Sequence, residues 1–211
     1  GIDRTDAITG QPDATGGAVT PVFAPYLAVQ GTALYWVASN SATYTTPKGA
    51  GAPQLPLSAS TGAGSGTGIG ISGVALYLMV NNYDLWVVPL TGGTAEKLPL
   101  AQSSTYLTGA GNAVYIAVSG TGIYRHVYDP TKTPQDAPNV VHPQAVSFTG
   151  LASDGTALIY TRSSNTSVYS VPIAGGNEVA LGTISGVAGV LGVDSGFVYL
   201  YPGNTVHQLA K

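Results

Sequence analysis

The fold is decided by the stretch Gly73-Val-Ala-Leu-Tyr77, which is followed by Trp86-Val-Val-Pro89 and Leu90-Thr-Gly-Gly93. Its first part is a tight turn followed by a short strand of apolar and β-forming residues. The same pattern recurs at four other places, where the turn begins at Gly31, Gly111, Gly155 and Ser195. The five starts are 42, 38, 44 and 40 residues apart, so the chain consists of five units of about 41 residues.

A second anchor lies 12 to 14 residues after each turn start, and its members are Tyr44, Trp86, Tyr124, Tyr169 and His207. In three units a proline follows this anchor and ends the strand, because proline has no N–H group to pair. Small apolar segments precede the turns at residues 26–30, 106–109, 148–152 and 189–193, and short segments at 97–100 and 178–181 follow the Gly-Gly turns. Four short strands in each unit predict an all-β, five-bladed β-propeller.

The repeat also predicts the domain boundaries. We expect blades at residues 21–62, 63–101, 102–143, 144–184 and 185–211. The last unit stops at its third strand, and residues 1–20 have no repeat of their own. We therefore expect a segment such as 6–9 or 18–21 to supply the missing strand and close the ring, because closure removes unpaired strand edges.

The fourth unit contains the motifs Asp154-Gly-Thr-Ala-Leu158 and Val168-Tyr-Ser-Val-Pro-Ile-Ala-Gly-Gly176. Their residue pattern resembles the short-blade propeller repeats of bacterial exported proteins, which are TolB-like or YWTD-like. The resemblance spans residues 21–211 and implies the fold. Such repeats occur in proteins of very different roles, so it implies little about activity. Families with this repeat pattern often have six to eight blades. The five units could therefore be the whole ring or part of a larger one.

Composition excludes several classes of function. Charged residues make up 8% of the chain, the net charge is −3, and the seven basic residues are scattered singly. Binding to nucleic acid or to an anionic membrane needs clustered Lys and Arg, so neither is expected. No apolar run approaches the ~20 residues needed to span a bilayer. There is no cysteine, and the chain starts at Gly1 with Met79 as its one methionine. We expect a processed product that acts outside the cytoplasm, and the resemblance described above implies a bacterial source.

No constellation in the sequence predicts catalysis, a metal site or a cofactor. Gly68-Ile-Gly-Ile-Ser-Gly73 matches a dinucleotide-binding fingerprint, but it runs into a strand where that motif requires a helix. His126, His142 and His207 lack the spacing of a zinc site, and we expect His207 to pack as a blade aromatic. Asp154, Asp194 and Asp84 lie at turns, where an aspartate accepts hydrogen bonds from local backbone N–H groups.

The candidate binding residues are aromatic. Thirteen tyrosines and two tryptophans combine an apolar ring with a polar group, which suits stacking on sugars and anchoring of interfaces. Those at the repeat positions are expected to pack between blades. We expect five others to be exposed and to form the candidate site: Trp36, Tyr83, Tyr128, Tyr160 and Tyr201. Two irregular segments, residues 58–70 and 126–143, are the best locations for a binding site, because loops on a rigid scaffold carry function.

The function predicted from these features is a non-catalytic binding or scaffold module that contacts a protein partner or a second copy of itself. The alternative is a lectin with equivalent sugar-binding pockets between blades. A third alternative, a propeller hydrolase, requires carboxylates around the central channel, and the innermost strands have almost no charge.

Overall fold

The computed structural model describes residues 26–37, 42–47, 55–58, 66–81, 83–100, 104–163, 166–184, 186, 189–201 and 205–211. These residues form nineteen β-strands and no helix. None of the described segments is therefore a helix long and apolar enough to cross a membrane.

The strands form five antiparallel sheets in chain order, and each sheet is a blade. Blade 1 contains β1 (Tyr26–Gln30), β2 (Ala33–Val37), β3 (Thr43–Pro47) and β4 (Leu55–Ser58). Blade 2 contains β5 (Gly66–Ile71), β6 (Ala75–Val80), β7 (Asp84–Pro89) and β8 (Glu96–Leu98). Blade 3 contains β9 (Ser104–Ala110), β10 (Ala113–Val118), β11 (Gly122–Val127) and β12 (Asn139–Pro143). Blade 4 contains β13 (Phe148–Ser153), β14 (Ala157–Arg162), β15 (Ser167–Pro172) and β16 (Val179–Thr183). Blade 5 contains β17 (Gly189–Val193), β18 (Phe197–Tyr201) and β19 (His207–Ala210).

The predicted five-bladed propeller is confirmed by this arrangement. The first strands of neighbouring blades pack side by side, β1 on β5, β5 on β9, β9 on β13 and β13 on β17. Each repeated turn lies between the first and second strands of its blade, as the turn motif requires. Within the described residues blade 5 has three strands, and the expected ring-closing segment in residues 1–20 lies outside the described part of the chain.

The core lies between the blades. Successive side chains of a strand point to opposite faces of its sheet, so a blade between two neighbours buries both faces. The second strands β6 and β10 are therefore buried along their whole length. Leu76 and Leu78 of β6 pack toward blade 1, whereas Tyr77 and Met79 of the same strand pack toward blade 3.

Two glycines allow the first strands to approach each other closely. A Cβ atom at Gly109 of β9 would overlap the backbone carbonyl of Ile71 in β5. A Cβ atom at Gly150 of β13 would overlap the backbone N–H group of Val190 in β17. The repeat predicts small residues in the first strand of each blade, and this close packing explains why they are small. A larger side chain would push two blades apart.

Two sequence predictions need correction, and a third is confirmed. The prediction that residues 58–70 are irregular is wrong in part, because β4 extends to Ser58 and β5 begins at Gly66. The irregular segment from 126 to 143 is likewise not a single loop, since it begins within β11 and ends in β12. The glycines of the fingerprint-like motif lie in β5 and in the turn that leads to β6, which confirms a strand–turn–strand geometry.

Candidate functional site

The five candidate aromatics differ in their exposure. Tyr83 and Tyr201 are 63% and 44% exposed, and Tyr128 is partly buried against the blade 2–blade 3 core. Trp36 and Tyr160 are buried, so their expected exposure is wrong. Each of them is next to a repeat anchor, so its side chain points to the opposite face of the blade. That face is covered as well, and the side chain is therefore buried.

The two buried aromatics instead contribute to packing. The ring of Trp36 stacks on Tyr44 within blade 1, with centroids 5.7 Å apart. The ring of Tyr160 stacks on Tyr169 at 5.6 Å and meets Phe148 edge-on at 5.5 Å. Tyr83, Tyr128 and Tyr201 belong to blades 2, 3 and 5, respectively. Two of the five candidates therefore belong to the core, and the other three lie in different blades.

The blade-3 loop, residues 128–138, is the most distinctive irregular segment of the described chain. It joins β11 to β12, where the corresponding connections in blades 2 and 4 are the shorter residues 90–95 and 173–178. It contains Tyr128 and three prolines, which are Pro130, Pro134 and Pro138. This part of the predicted site is therefore a loop of the type expected to carry function.

A buried glutamine organises the loop from inside. The Gln135 side-chain oxygen accepts a hydrogen bond from the N–H group of Asp129 at 3.0 Å. Its side-chain nitrogen donates to the carbonyl oxygens of Asp129 at 2.7 Å and Lys132 at 2.5 Å. The backbone N–H group of Gln135 donates to the Glu96 carboxylate of blade 2. These bonds satisfy the amide on all sides, so the loop has a defined shape.

The start of the loop is a tight polar turn. The Asp129 carboxylate accepts hydrogen bonds from the N–H and hydroxyl groups of Thr131, at 2.9 and 2.7 Å. These bonds hold the pKa of Asp129 below its usual value, because they stabilise the charged form. Lys132 forms an exposed ion pair with Asp136.

The base of the loop rests on a buried histidine. His126 Nδ1 lies 2.8 Å from the Tyr77 hydroxyl of blade 2, and its Nε2 lies 3.0 Å from the backbone carbonyl of Asp136. A carbonyl only accepts, so Nε2 carries the proton and Nδ1 accepts from Tyr77. Burial lowers the pKa of His126 and so favours the neutral ring that this pattern needs. The loop is thereby fastened across the junction of blades 2 and 3.

The solvent side of the loop is a short polar surface. Residues 130–134, 136 and 137 are exposed, and they include two prolines, two threonines and the Lys132–Asp136 pair. Their backbone is held from below by Gln135 and His126. A rigid exposed loop of this kind loses little conformational entropy when a partner binds.

A second polar cluster joins blades 3 and 4. The Glu178 carboxylate binds the Arg162 guanidinium and accepts a hydrogen bond from the Tyr160 hydroxyl, and it lies 3.5 Å from His142 Nε2. Burial, and then the bond to Glu178, raises the pKa of Tyr160. The Arg162 guanidinium also lies 3.9 Å from the Tyr169 ring centroid. Glu178 thus joins Arg162, Tyr160 and His142 at the junction of blades 3 and 4, which fits a structural clamp between blades.

The roles predicted for the aspartates and for His207 have mixed outcomes. The turn role is confirmed for Asp154, which accepts from the N–H groups of Thr156 and Ala157, and for Asp194, which accepts from those of Gly196 and Phe197. Asp84 instead begins β7 and pairs with Lys97 at 2.7 Å. His207 is exposed and bonded to the Thr205 hydroxyl, so its predicted packing role is wrong. No group of three or more potential metal ligands exists among the described residues.

Sequence reasoning identified the loop but missed the residues that hold it. Gln135, Glu96 and Tyr77 belong to different parts of the chain, and no local pattern links them. From the sequence, His126 suggests only a possible metal ligand, and its structural contacts with Tyr77 and Asp136 are not visible there. The one available signal was the loss of the Val-Pro and Gly-Gly elements in the third unit, which marks a departure from the repeat.

No family model matches the chain, and no curated protein matches it. Solved propeller structures do resemble it. YCF48 from Cyanidioschyzon merolae superposes with a TM-score of 0.66 at 11% sequence identity, over 92% of this chain and 71% of that chain. A structure described as YCF48 bound to D1 peptide gives a TM-score of 0.66 at 10% identity, over 92% and 66% of the two chains. A chain of a nidogen/laminin complex gives 0.64 at 14% identity, over 90% and 76%. At these identities the similarity shows the fold.

Proposed function

We propose that this propeller is a non-catalytic binding module that recognises a protein partner through the blade-3 loop. The observation that carries the proposal is the organisation of that loop, which is exposed on its outer side and fastened by buried Gln135 and His126 on its inner side. A buried amide with its hydrogen bonds made fixes the shape of the loop, and a fixed exposed loop is suited to binding a partner. The extracytoplasmic bacterial location expected from composition and repeat type is part of the same proposal.

Two further points support a protein partner. The superposable structures include one described as bound to D1 peptide and a chain of a nidogen/laminin complex, so propellers of this shape occur in complexes with peptides and proteins. The surface of the loop offers prolines, threonines and one ion pair, which suits contact with an extended backbone. A lectin would need equivalent pockets, and the exposed aromatics Tyr83 and Tyr201 occupy non-equivalent positions in their blades.

The test is selection of binding peptides on the immobilised chain, from a displayed library of random 15-residue peptides. The same chain is applied to a glycan array. We expect peptides whose binding is weakened at least ~10-fold by Lys132→Ala, which corresponds to about 1.4 kcal/mol. The matched control is Lys97→Ala, because Lys97 is also exposed and also pairs with one aspartate, but lies in blade 2 outside the loop.

Each outcome has a clear meaning. Selected peptides that bind Lys132→Ala and Lys97→Ala equally well would move the site away from the loop and contradict the proposal. Glycan binding in the absence of any selected peptide would replace it with the lectin alternative. A thermal melt of each variant establishes that the change in binding is not a change in folding.

A further inference from the structure

The fourth strand of a blade lies at the outer edge of its sheet. These outer strands are β4, β8, β12 and β16, and within the described part of the chain each of them pairs on one side. An outer strand therefore has backbone N–H and C=O groups that point away from its sheet and can pair with a strand of another molecule. Proteins usually protect such edges with proline or with charged side chains.

Three of the four edges have this protection. β4 contains Pro56, which has no N–H group to donate. β8 contains Lys97, whose side chain is exposed. β12 ends at Pro143, and Pro138 precedes it directly. Pairing any of these edges with another strand would lose hydrogen bonds or bring a charge into the contact.

The edge strand β16 of blade 4 lacks this protection. Its sequence, Val179-Ala-Leu-Gly-Thr183, contains no proline and no charged residue. Val179 is 60% exposed. Ala180 and Thr183 are also exposed, and the two residues between them are partly exposed. No residue of this strand is buried, so a partner strand has access to it.

The charge that is nearest to β16 in sequence is bound elsewhere. Glu178 immediately precedes the strand, but its carboxylate binds Arg162 and Tyr160 at the junction with blade 3. The exposed positions of β16 thus offer small apolar side chains, a threonine and the backbone. Backbone groups and small side chains recognise another extended strand, which is the binding mode called β-augmentation.

We propose that β16 pairs in antiparallel orientation with β16 of a second copy, so that two chains form a two-fold dimer through their fourth blades. An antiparallel pair of identical strands is self-complementary, because a two-fold axis relates the two strands. A pair centred on Leu181 sets Val179 opposite Thr183 of the other copy, and no like charges meet. The same arrangement of β8 centred on Lys97 would place two ammonium groups opposite each other, which is destabilising.

Two features favour a second copy over a different protein. β16 has no charged or aromatic side chain that would select a particular partner. The chain as a whole has 8% charged residues and a net charge of −3, so electrostatic repulsion between copies is weak. The edge strand of blade 5, β19, is not an equivalent candidate, because the expected ring-closing segment would cover it. The β16 edge is separate from the blade-3 loop, so the inference does not rest on the proposed function.

The oligomeric state of the full chain tests the inference. Sedimentation velocity over a series of concentrations is expected to show a monomer–dimer equilibrium. Val179→Lys is expected to raise the dissociation constant of the dimer at least ~10-fold, because each copy would bring an ammonium group into the contact. The matched control is Val140→Lys, which adds the same charge at a 46% exposed valine of the outer strand β12. The control is expected to leave the dissociation constant unchanged.

Hydrogen exchange of the unmodified chain locates the contact without any substitution. The amides of residues 179–183 are expected to exchange more slowly at high than at low protein concentration, because pairing protects them. The amides of β8, residues 96–98, are expected to exchange equally at both concentrations. A thermal melt of each lysine variant establishes that a change in association is not a change in folding.

A chain that is monomeric at all concentrations would overturn the inference. A dimer that Val179→Lys and Val140→Lys weaken equally would overturn it as well, and so would concentration-dependent protection that lies outside β16. Protection of residues 179–183 in a monomer by peptides selected from the displayed library would assign this edge to a different protein and exclude the second copy.

Discussion

Replacing Gly109 by alanine tests the close approach of the blades. The added methyl group would overlap the backbone carbonyl of Ile71, and backbone, unlike the end of a flexible side chain, cannot rotate away. Overpacking of a core costs about 1–3 kcal/mol, and the upper part of that range applies because two strands must separate. For a chain of this size each kcal/mol lowers the Tm by about 2–4 °C. We therefore expect a fall of about 5–10 °C.

The matched control is Gly192→Ala. Gly192 also lies in a first strand and has ordinary backbone dihedrals, but its Cβ position has no neighbour within 4 Å. Both substitutions restrict the unfolded chain equally, which stabilises by about 0.4–1 kcal/mol. The difference between the two melting temperatures, measured by circular dichroism or calorimetry, isolates the steric cost. Equal melting temperatures, within about 2 °C, would refute the close packing of β9 against β5.

Three further predictions concern the loop, the turns and the N-terminal segment. Gln135→Ala is expected to lower the free energy of unfolding by about 1–3 kcal/mol and to accelerate amide hydrogen exchange in residues 128–138, because three loop hydrogen bonds are lost. The control variant Gln144→Ala should leave that exchange unchanged. Equal exchange in both variants would contradict the role of Gln135. Burial alone would raise the pKa of Asp154, but the Lys211 ammonium and the N–H groups of Ala157 and Thr156 hold it well below its usual value. This contribution to stability is present above the unfolded pKa of about 3.9 and is lost as the pH falls below it. The difference in Tm between wild type and Asp154→Asn should therefore shrink from pH 6 to pH 2. A constant difference would argue against the ion pair. Deletion of residues 1–20 is expected to lower the Tm sharply if that segment completes blade 5, and an unchanged melt would contradict ring closure.

Much of the fold could be predicted because the repeat is local. The turn at Gly73 and the proline at Pro89 mark strand ends through backbone geometry and the missing N–H group, and neither depends on distant residues. Strands β1 and β17 were predicted with their observed bounds. The strand β12 was missed because Pro138 and Pro143 indicate irregular structure, although both fit at the ends of a strand on the edge of a sheet.

The candidate site was predicted less well because exposure is a property of the neighbours of a residue. Trp36 and Tyr160 lie outside the repeat anchors, yet adjacent structure buries them. The loop was located correctly in part, since its departure from the repeat is visible in the chain. The residues that shape it, Gln135 and His126, bond to groups far away in sequence, and no local pattern shows such bonds.

The number of blades, the order of their strands and the positions of the turns can be predicted from the chain alone, because backbone conformation and strand pairing within a blade follow from neighbouring residues. Which side chains are covered depends instead on how the blades pack. Tyr77 and Tyr201 both lie on second strands, yet one is buried and the other half-exposed, because blade 3 covers the first and no described blade covers the second. Burial of apolar surface requires a second surface, and that surface comes from another blade.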